Sequence, residues 1–237
     1  MENTEKQPNR FSRLELLVGE NNLSLFSSKC VLILGVGGVG SFVVEGLVRS
    51  RVSKIIIVDY DIVDITNINR QILALTSTIG KKKVDVLEER ILDINPDCQV
   101  IKIDSFITDD NISCLFQEKI DYFIDCCDTV STKKRVLLEC IRRDIPFISS
   151  MGTGNKLDPT QLEIVDIRKT SNDPLARILR KYVKDQHITK KVMVLCSKEL
   201  PIKTGSRTVG STSFVPSSAG LMIASYVVRE WIKKNQQ

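Results

Sequence analysis

The feature that most constrains the fold is a glycine-rich turn, LGVGGVG at residues 34–40, between a short apolar run and a segment of helical periodicity. Gly35, Gly37 and Gly40 follow the GxGxxG spacing. Small residues let the backbone approach a phosphate, and the first turn of the following helix offers free amide donors to it. The turn predicts a nucleotide-binding α/β fold, without distinguishing ATP from a nicotinamide or flavin nucleotide.

Short β-branched runs alternate with helical segments, as in βαβ units of a parallel sheet. The predicted strands are residues 30–35, 54–59, 99–104, 121–126, 146–150, 162–167 and 192–196. The predicted helices are about 39–50, 81–94, 109–118, 131–143, one that begins after Asp173, and a last one at about 217–234. Right-handed crossovers give a Rossmann-like, doubly wound, mainly parallel α/β sheet with helices on both faces and a C-terminal elaboration.

Composition excludes several classes of protein. No apolar run reaches the eighteen or so residues of a membrane span, and the start, MENTEKQPNR, lacks the basic and apolar regions of a signal peptide. Seven cysteines without a CxxC pair, and one histidine, favour reduced, buried thiols and provide no ligand set for zinc. We therefore expect a cytoplasmic protein with no membrane contact and no zinc.

A polar run follows the second predicted strand. Asp59 ends that strand nineteen residues beyond Gly40, where an acid can accept hydrogen bonds from ribose hydroxyls. Asn67, Arg70 and Gln71 come eight to twelve residues later. That run is too polar for the second crossover of a dehydrogenase.

Two more charged residues are predicted at the same edge of the sheet. Lys83 lies near the start of the next helix, and Asp128 ends the fourth strand in DCCDT. Arginine and lysine neutralise phosphoryl oxygens, and a lone carboxylate can hold Mg²⁺. Arg70, Lys83 and Asp128 together predict ATP with Mg²⁺, because the pyrophosphate of a dinucleotide does not need that much positive charge.

Each of these residues has a simpler interpretation by itself. Arg70 could be a surface arginine, and Lys83 could belong to a solvated KKK at residues 81–83. Asp125 and Asp128 could be turn residues at the end of a strand. Their joint occurrence in this order favours the ATP site over a dehydrogenase or a non-catalytic dimeric protein that has kept the pocket.

These residues lie in motifs that resemble the ubiquitin-activating-like adenylating enzymes, which include bacterial activators of the sulfur carriers for thiamine and molybdopterin. The motifs are RFSR, GVGGVG, VDYD, NINRQ, GKKK and DCCD, and they span most of residues 10–130. The resemblance implies an ATP-binding set of Gly35, Gly37, Gly38, Gly40, Asp59, Asp61, Asn67, Arg70, Gln71 and Lys83. It implies a catalytic set of Arg13, Arg70, Lys83 and Asp128.

Within these sets the resemblance implies particular roles. Asp128 would position Mg²⁺, and Arg13 would reach the γ-phosphate of the partner subunit as an arginine finger in a homodimer. We divide the chain into an N-terminal helical segment with this finger at 1–29, an ATP-binding core at 30–150 and a C-terminal elaboration at 151–237. All three belong to one domain.

Longer stretches resemble the tRNA threonylcarbamoyladenosine dehydratase branch of that family. They are INRQILAL (68–75), DINPDCQV (93–100), RRDIPFISSMGTGNKLDPTQ (142–161), DIRKTSNDPLAR (166–177) and SFVPSSAGLMIAS (213–225). The branch implies ATP-dependent cyclisation of N6-threonylcarbamoyladenosine in tRNA. The substrate carboxylate would form an acyl-adenylate, and the neighbouring carbamoyl group would close onto it and expel AMP, so no enzyme cysteine is required.

The alternative function is adenylation of the C-terminus of a ubiquitin-like sulfur-carrier protein. Those activators typically hold zinc through two CxxC pairs and often have a reactive cysteine in the second half. This chain has no CxxC, and Cys196 is its only cysteine after Cys140, which argues against that function. Whether a sulfur-transfer partner protein assists is left open.

A basic segment lies between Arg168 and Lys191, with eight lysines and arginines against two aspartates within it and Asp166 just before it. A solvated helix face would explain it, and so would contact with tRNA phosphates. Aromatic residues make up 5% of the chain and form no visible stacking platform. We therefore expect recognition of tRNA by shape and backbone charge.

Overall fold

The computed structural model describes residues 7–236, in which seven strands form one sheet. The strands are β1 (Cys30–Leu34), β2 (Lys54–Val58), β3 (Gln99–Ile103), β4 (Tyr122–Asp125), β5 (Phe147–Ser150), β6 (Leu162–Asp166) and β7 (Met193–Ser197). Their order across the sheet is β3-β2-β1-β4-β5-β7-β6, and every pair is parallel except β6 with β7.

Helices connect the strands and flank them at both chain ends. They are α1 (Ser12–Val18), α2 (Glu20–Ser27), α3 (Gly40–Arg49), α4 (Lys83–Ile94), α5 (Val130–Arg142), α6 (Pro174–Asp185) and α7 (Phe214–Asn235). The side chain of Asp173 caps α6 by accepting from the Ala176 amide at 2.9 Å, with Pro174 at the first helical position, as predicted. The last helix begins at Phe214, slightly earlier than predicted.

The predicted helix at 109–118 is wrong: this connection forms a 3-10 helix over Ile112–Phe116. The side chain of Asn111 accepts from the Thr108 amide at 2.7 Å and donates to the Phe106 carbonyl at 2.9 Å. These bonds close a turn just before the helical residues. The short remainder, ISCLF, contains isoleucine, cysteine and phenylalanine, which are weak helix formers, and is too short to sustain an α-helix.

The sheet is apolar on both faces because helices cover both. Along β1, Val31 and Ile33 belong to one buried cluster, whereas Leu32 and Leu34 belong to another on the opposite face. The alternation of side chains along a strand explains this division. The two-sided core confirms the predicted doubly wound α/β fold, in which α7 packs against α3.

The strand order reverses between β1 and β4. The chain runs from β1 outward to β2 and β3, then returns to β4 and continues to β5 on the other side. Ligands of such sheets bind in the crevice outside the carboxyl ends of the strands at this reversal. Among the described helices, none is long and apolar enough to cross a membrane.

Candidate active site

A cavity of about 490 Å³ opens at the carboxyl edge of the sheet, beside β1 and β4. Loops after β1, β2, β4 and β5 line it, together with the start of α4. The cavity brings together ten of the predicted site residues: Gly35, Gly37, Gly38, Asp59, Asp61, Asn67, Arg70, Gln71, Lys83 and Asp128. Gly40 and Arg13 do not lie on its surface.

The glycine turn is held tightly against neighbouring backbone. Gly35 has a φ of +83°, and a Cβ there would lie 2.8 Å from the amide nitrogen of Cys127. A Cβ on Gly40 would lie 1.8 Å from the Gly35 carbonyl oxygen. Gly40 therefore allows α3 to begin directly on the turn, while the other glycines of the motif face the cavity.

Asp59 is buried at the end of β2 and organises the backbone around the cavity. Its Oδ2 accepts from the Val36 amide at 2.8 Å, and its Oδ1 accepts from the Asp61 amide at 3.0 Å. Since a carboxylate has about four lone-pair sites, acceptor capacity remains for ribose hydroxyls. Asp59 thus fixes the turn after β1 to the loop after β2 and still faces the ligand space.

The polar run after β2 is a compact turn. Asn67 is buried, and its Oδ1 accepts from the Asp64 amide at 3.3 Å. Nη1 of Arg70 donates to the Thr66 carbonyl at 2.7 Å, so the guanidinium is held by its own loop. Gln71 is 7% exposed, and its Oε1 has no hydrogen-bond partner among the described residues. A buried acceptor without a partner is costly, which is consistent with a ligand donor at this position.

Lys83 enters the cavity from the first position of α4. Its Nζ lies 2.6 Å from Oδ2 of Asp61, and its backbone amide donates to the Asp61 carbonyl at 3.0 Å. The lysine side chain is 6% exposed and the aspartate 45% exposed. This contact holds a buried ammonium at the cavity wall, where phosphoryl oxygens can compete for it.

Asp128 lies on the opposite side of the glycine turn, in the loop after β4. It is exposed to the cavity, and no described residue forms a hydrogen bond or ion pair with its carboxylate. Among the described residues, no group of three or more histidine, cysteine, aspartate or glutamate side chains could hold a metal. The donor set at Asp128 is thus a single carboxylate, which suits a Mg²⁺ ion that takes its other ligands from phosphates and water.

A buried ion pair beneath the cavity was not predicted from the sequence. Nζ of Lys133 on α5 lies 3.0 Å from Oδ2 of Asp125, 3.1 Å from Oγ of Ser149 and 2.9 Å from the Ser150 carbonyl. Oδ1 of Asp125 accepts from the Cys127 amide at 3.2 Å. Burial by itself would lower the pKa of Lys133, but the charge of Asp125, the neighbouring Cys126 and Cys127 and the hydrogen bond to Asp125 together outweigh burial and raise the pKa. The lysine therefore stays charged and joins the ends of β4 and β5.

A second buried pair holds the loop after β5. Nζ of Lys156 donates to the Gly152 carbonyl at 2.7 Å and lies 3.6 Å from Oδ2 of Asp173. The same carboxylate accepts from the Gly152 amide at 3.0 Å. Since Gly152 lines the cavity and Asp173 caps α6, this contact fixes one cavity wall to a helix. In the sequence, Lys156 has no signal that separates it from a surface lysine.

The thiols around the site are unreactive. Cys126 and Cys127 line the cavity, and burial followed by the nearby charge of Asp125 raises the pKa of both. The pKa of Cys196 is raised to about 11, again mainly by burial. The other four thiols have raised pKa values too, so all seven are protonated near neutral pH.

Arg13 lies on α1, exposed and outside the cavity of its own chain. The same helix exposes Leu16 and Leu17, at 85% and 82%. Two adjacent leucines with such high exposure are unusual on the surface of a monomeric protein. No contact among residues 7–236 explains the position of these two leucines.

The family model for ThiF matches residues 11–235. The chain belongs to the ThiF family. The predicted resemblance to ubiquitin-activating-like adenylating enzymes is confirmed, since the matched region contains the glycine turn, the polar run and Asp128.

Several of the similar relatives are tRNA threonylcarbamoyladenosine dehydratases. The tRNA threonylcarbamoyladenosine dehydratase of Bacillus subtilis is 44% identical over 241 residues, which cover 94% of this chain and 95% of the relative. Crystal structures of the Escherichia coli dehydratase TcdA in complex with AMP and with ATP each superpose with a TM-score of 0.90. Each has 35% identity and covers 96% of this chain and 95% of the other.

Proposed function

We propose that this chain is an ATP-dependent adenylating enzyme that cyclises N6-threonylcarbamoyladenosine in tRNA. The observation that carries the proposal is the near full-length similarity to the Bacillus subtilis dehydratase, at 44% identity. The cavity geometry supports it, because one pocket contains a glycine turn, a ribose acceptor, two cations and a free carboxylate. The crystal structures of the Escherichia coli dehydratase with AMP and with ATP support the same choice of nucleotide.

In this proposal ATP lies with its ribose at Asp59 and its phosphates near Arg70 and Lys83. The unpartnered Oε1 of Gln71 accepts a hydrogen bond from the bound nucleotide or substrate. Asp61 holds the ammonium of Lys83 in place until phosphoryl oxygens reach it. Asp128 would hold Mg²⁺, which when bound supplies charge neutralisation to the phosphates.

The reaction begins when the carboxylate of the threonyl group attacks the α-phosphorus of ATP. A carboxylate oxygen forms the new P–O bond as the bond to pyrophosphate breaks, which yields an acyl-adenylate. Arg70 and Lys83 stabilise the negative charge that develops on the phosphoryl oxygens. The Gly35–Gly40 turn and the start of α3 position the nucleotide for this attack.

The second step closes the ring. The carbamoyl group of the same substrate attacks the activated carbonyl, loses a proton and displaces AMP, which departs with the original carboxylate oxygen. The modified nucleoside thereby loses one water. The nucleophile belongs to the substrate, so proximity supplies the rate enhancement. The raised pKa of every thiol supports a route without an enzyme thioester.

We propose that the enzyme is a homodimer in which Arg13 completes the partner's site. The exposure of Arg13, its separation from its own cavity and the two exposed leucines beside it support this arrangement. Because a tRNA substrate is encountered in the cytoplasm, we place the enzyme there.

The proposal is tested with purified protein, ATP, Mg²⁺ and tRNA that contains the threonylcarbamoyl nucleoside. We expect AMP, pyrophosphate and a nucleoside lighter by one water, all dependent on ATP. A parallel reaction with a small protein that ends in Gly-Gly tests the sulfur-carrier alternative. Pyrophosphate exchange that requires that protein, with an unchanged nucleoside mass, would overturn the proposal.

A further inference from the structure

A row of three cations lies on the outer face of α6. Arg177, Lys181 and Lys184 are spaced four and three residues apart and are all exposed. That spacing places side chains on one stripe of a helix. The opposite face is apolar, with Ala176, Leu179 and Val183 buried in the core cluster under α6. We call these three cations the α6 stripe.

The α6 stripe differs from the other basic residues nearby. Arg168 contacts Asp166 at 2.9 Å, Arg180 donates to the Thr170 carbonyl at 2.7 Å, and Lys190 contacts Asp144 at 2.6 Å. Those cations stabilise the chain's own loops. In contrast, no hydrogen bond or ion pair joins the side chain of a member of the α6 stripe to any residue that the structure describes.

The helix that contains the α6 stripe begins at the rim of the cavity. Leu175, in the first turn of α6, lines the cavity, and the capping residue Asp173 is bonded to the cavity loop at Gly152. From Arg177 to Lys184 the helix rises about 10 Å, at 1.5 Å per residue. The row of charge therefore lies on the exposed face of a helix whose first turn borders the ligand space. Asp185, the last residue of α6, is the exposed carboxylate at its far end.

We propose that the α6 stripe binds backbone phosphates of the tRNA substrate and so directs the modified adenosine into the cavity. The inference rests on the proposed function, since it assumes a tRNA substrate. The charge complementarity is direct: three exposed cations lie on a helix whose first turn borders the cavity, and the proposed phosphate ligands inside that cavity are Arg70 and Lys83. Tyr182, the aromatic residue of α6, is half-buried, so the surface is suited to phosphates rather than to stacked bases.

The test measures binding of an unmodified tRNA transcript over a range of salt concentrations. The variant Arg177→Gln, Lys181→Gln, Lys184→Gln keeps helix propensity, because glutamine is close to lysine and arginine. We expect its affinity for tRNA at low salt to fall at least tenfold. The slope of log affinity against log salt should become shallower by roughly 2 to 3, since each lost phosphate contact removes about 0.7 to 0.9.

A matched control removes the same charge elsewhere. Lys29, Lys54 and Lys119 lie at the amino ends of β1, β2 and β4, the edge of the sheet away from the cavity. Changing these three to glutamine should alter tRNA affinity less than twofold. Both triple variants should remain folded, with melting temperatures within roughly 5 °C of the wild type.

The possible outcomes distinguish failure of the α6 stripe as a tRNA contact from failure of the proposed function. Equal loss of affinity in both triple variants, or no loss in the α6 variant, would overturn the stripe as the tRNA contact. Binding to phosphatidylserine vesicles that matches tRNA binding and depends on the same residues would overturn tRNA as the partner. If the wild-type protein binds tRNA through the α6 stripe but never cyclises the modified nucleoside, the proposed function fails while the stripe stands.

Discussion

The ammonium of Lys133 lies 3.0 Å from Oδ2 of Asp125, and neither side chain is more than 1% exposed. This pair joins α5 to the end of β4, and its additional contacts with Ser149 and Ser150 include the end of β5. The loop that contains Asp128 begins directly after Asp125, at the end of β4. The geometry of the active-site floor thus depends on a buried charge that does not face the ligand.

Removing Lys133 should therefore destabilise the fold. We expect Lys133→Met to lower the free energy of unfolding by about 3 to 5 kcal/mol, because Asp125 is left as an uncompensated buried charge. Urea denaturation measures the change. As a control, Lys29→Met breaks the half-exposed pair with Asp121 and should cost no more than about 1 kcal/mol. Equal effects of the two substitutions would contradict the assigned importance of burial.

Asp128→Ala should slow AMP release strongly without loss of stability. The carboxylate is exposed and has no described partner in the chain, so its removal leaves no buried group unpaired. We expect the rate of AMP release to fall by about 10² to 10³, the usual effect of losing one charge-stabilising group. Asp128→Asn, which keeps the shape, should be similarly impaired at ordinary Mg²⁺. An active Asp128→Ala variant would refute the role assigned to this residue.

Lys83 and Asp61 should have unequal effects on catalysis. Lys83→Gln removes the cation itself, and we expect pyrophosphate release to slow by about 10² to 10³. Asp61→Asn removes only the group that positions the cation and should have a smaller effect, because the ammonium can still bind phosphate. Single-turnover assays of both variants compare the two rates. A larger loss in Asp61→Asn would show that the carboxylate, rather than Lys83, contacts the nucleotide.

Mixing two inactive variants should restore activity if Arg13 acts in the partner's site. Arg13→Ala lacks the finger, and Lys83→Gln lacks a functional cavity. A mixed dimer combines the intact cavity of the first chain with the intact finger of the second. AMP release by the mixture, compared with each variant by itself, is the measurement. Full activity of Arg13→Ala alone would remove the basis for a shared site.

Stability should decline in alkaline solution. Burial raises the pKa of Cys30 from 9.0 to about 11 and that of Cys98 from 9.0 to about 12. Below pH 9 both thiols are protonated in the folded and unfolded chains. Above pH 9 the unfolded chain releases these protons first, so the free energy of unfolding falls as pH rises toward the folded pKa values.

Denaturation midpoints measured between pH 7 and pH 11 test this linkage. We expect a flat profile below pH 9 and a decrease above it. Cys98→Ala should make the alkaline decrease less steep, whatever its effect at neutral pH. A profile of unchanged steepness in that variant would show that Cys98 does not contribute.

The strands and the cavity edge were predictable because they rest on local patterns. The glycine spacing, Asp59 at a strand end and the polar run at 67–71 are each short signals, and parallel strands bring their carboxyl ends to one edge. Lys133 and Lys156 were not predictable. Both occur in ordinary polar sequence, TKKR and NKLD, and only tertiary packing buries them against Asp125 and Asp173.

The partners of the cations at 168–191 were not predictable from the sequence either. Its composition could not distinguish cations that pair with nearby groups from cations that remain free. In the structure Arg168 and Lys190 are bound to aspartates, whereas Lys181 is not. Helical periodicity places Lys181 on the outer stripe, but the partners of Arg168 and Lys190 depend on loop geometry.

The most direct test of acyl-adenylate cyclisation is an isotope-transfer measurement. The threonyl carboxylate of the tRNA substrate is labelled with heavy oxygen, and the products are analysed by mass spectrometry after one turnover. We predict that AMP carries one labelled oxygen and that the nucleoside is lighter by one labelled water, with unlabelled pyrophosphate. Label in pyrophosphate, or a nucleoside of unchanged mass, would contradict the account.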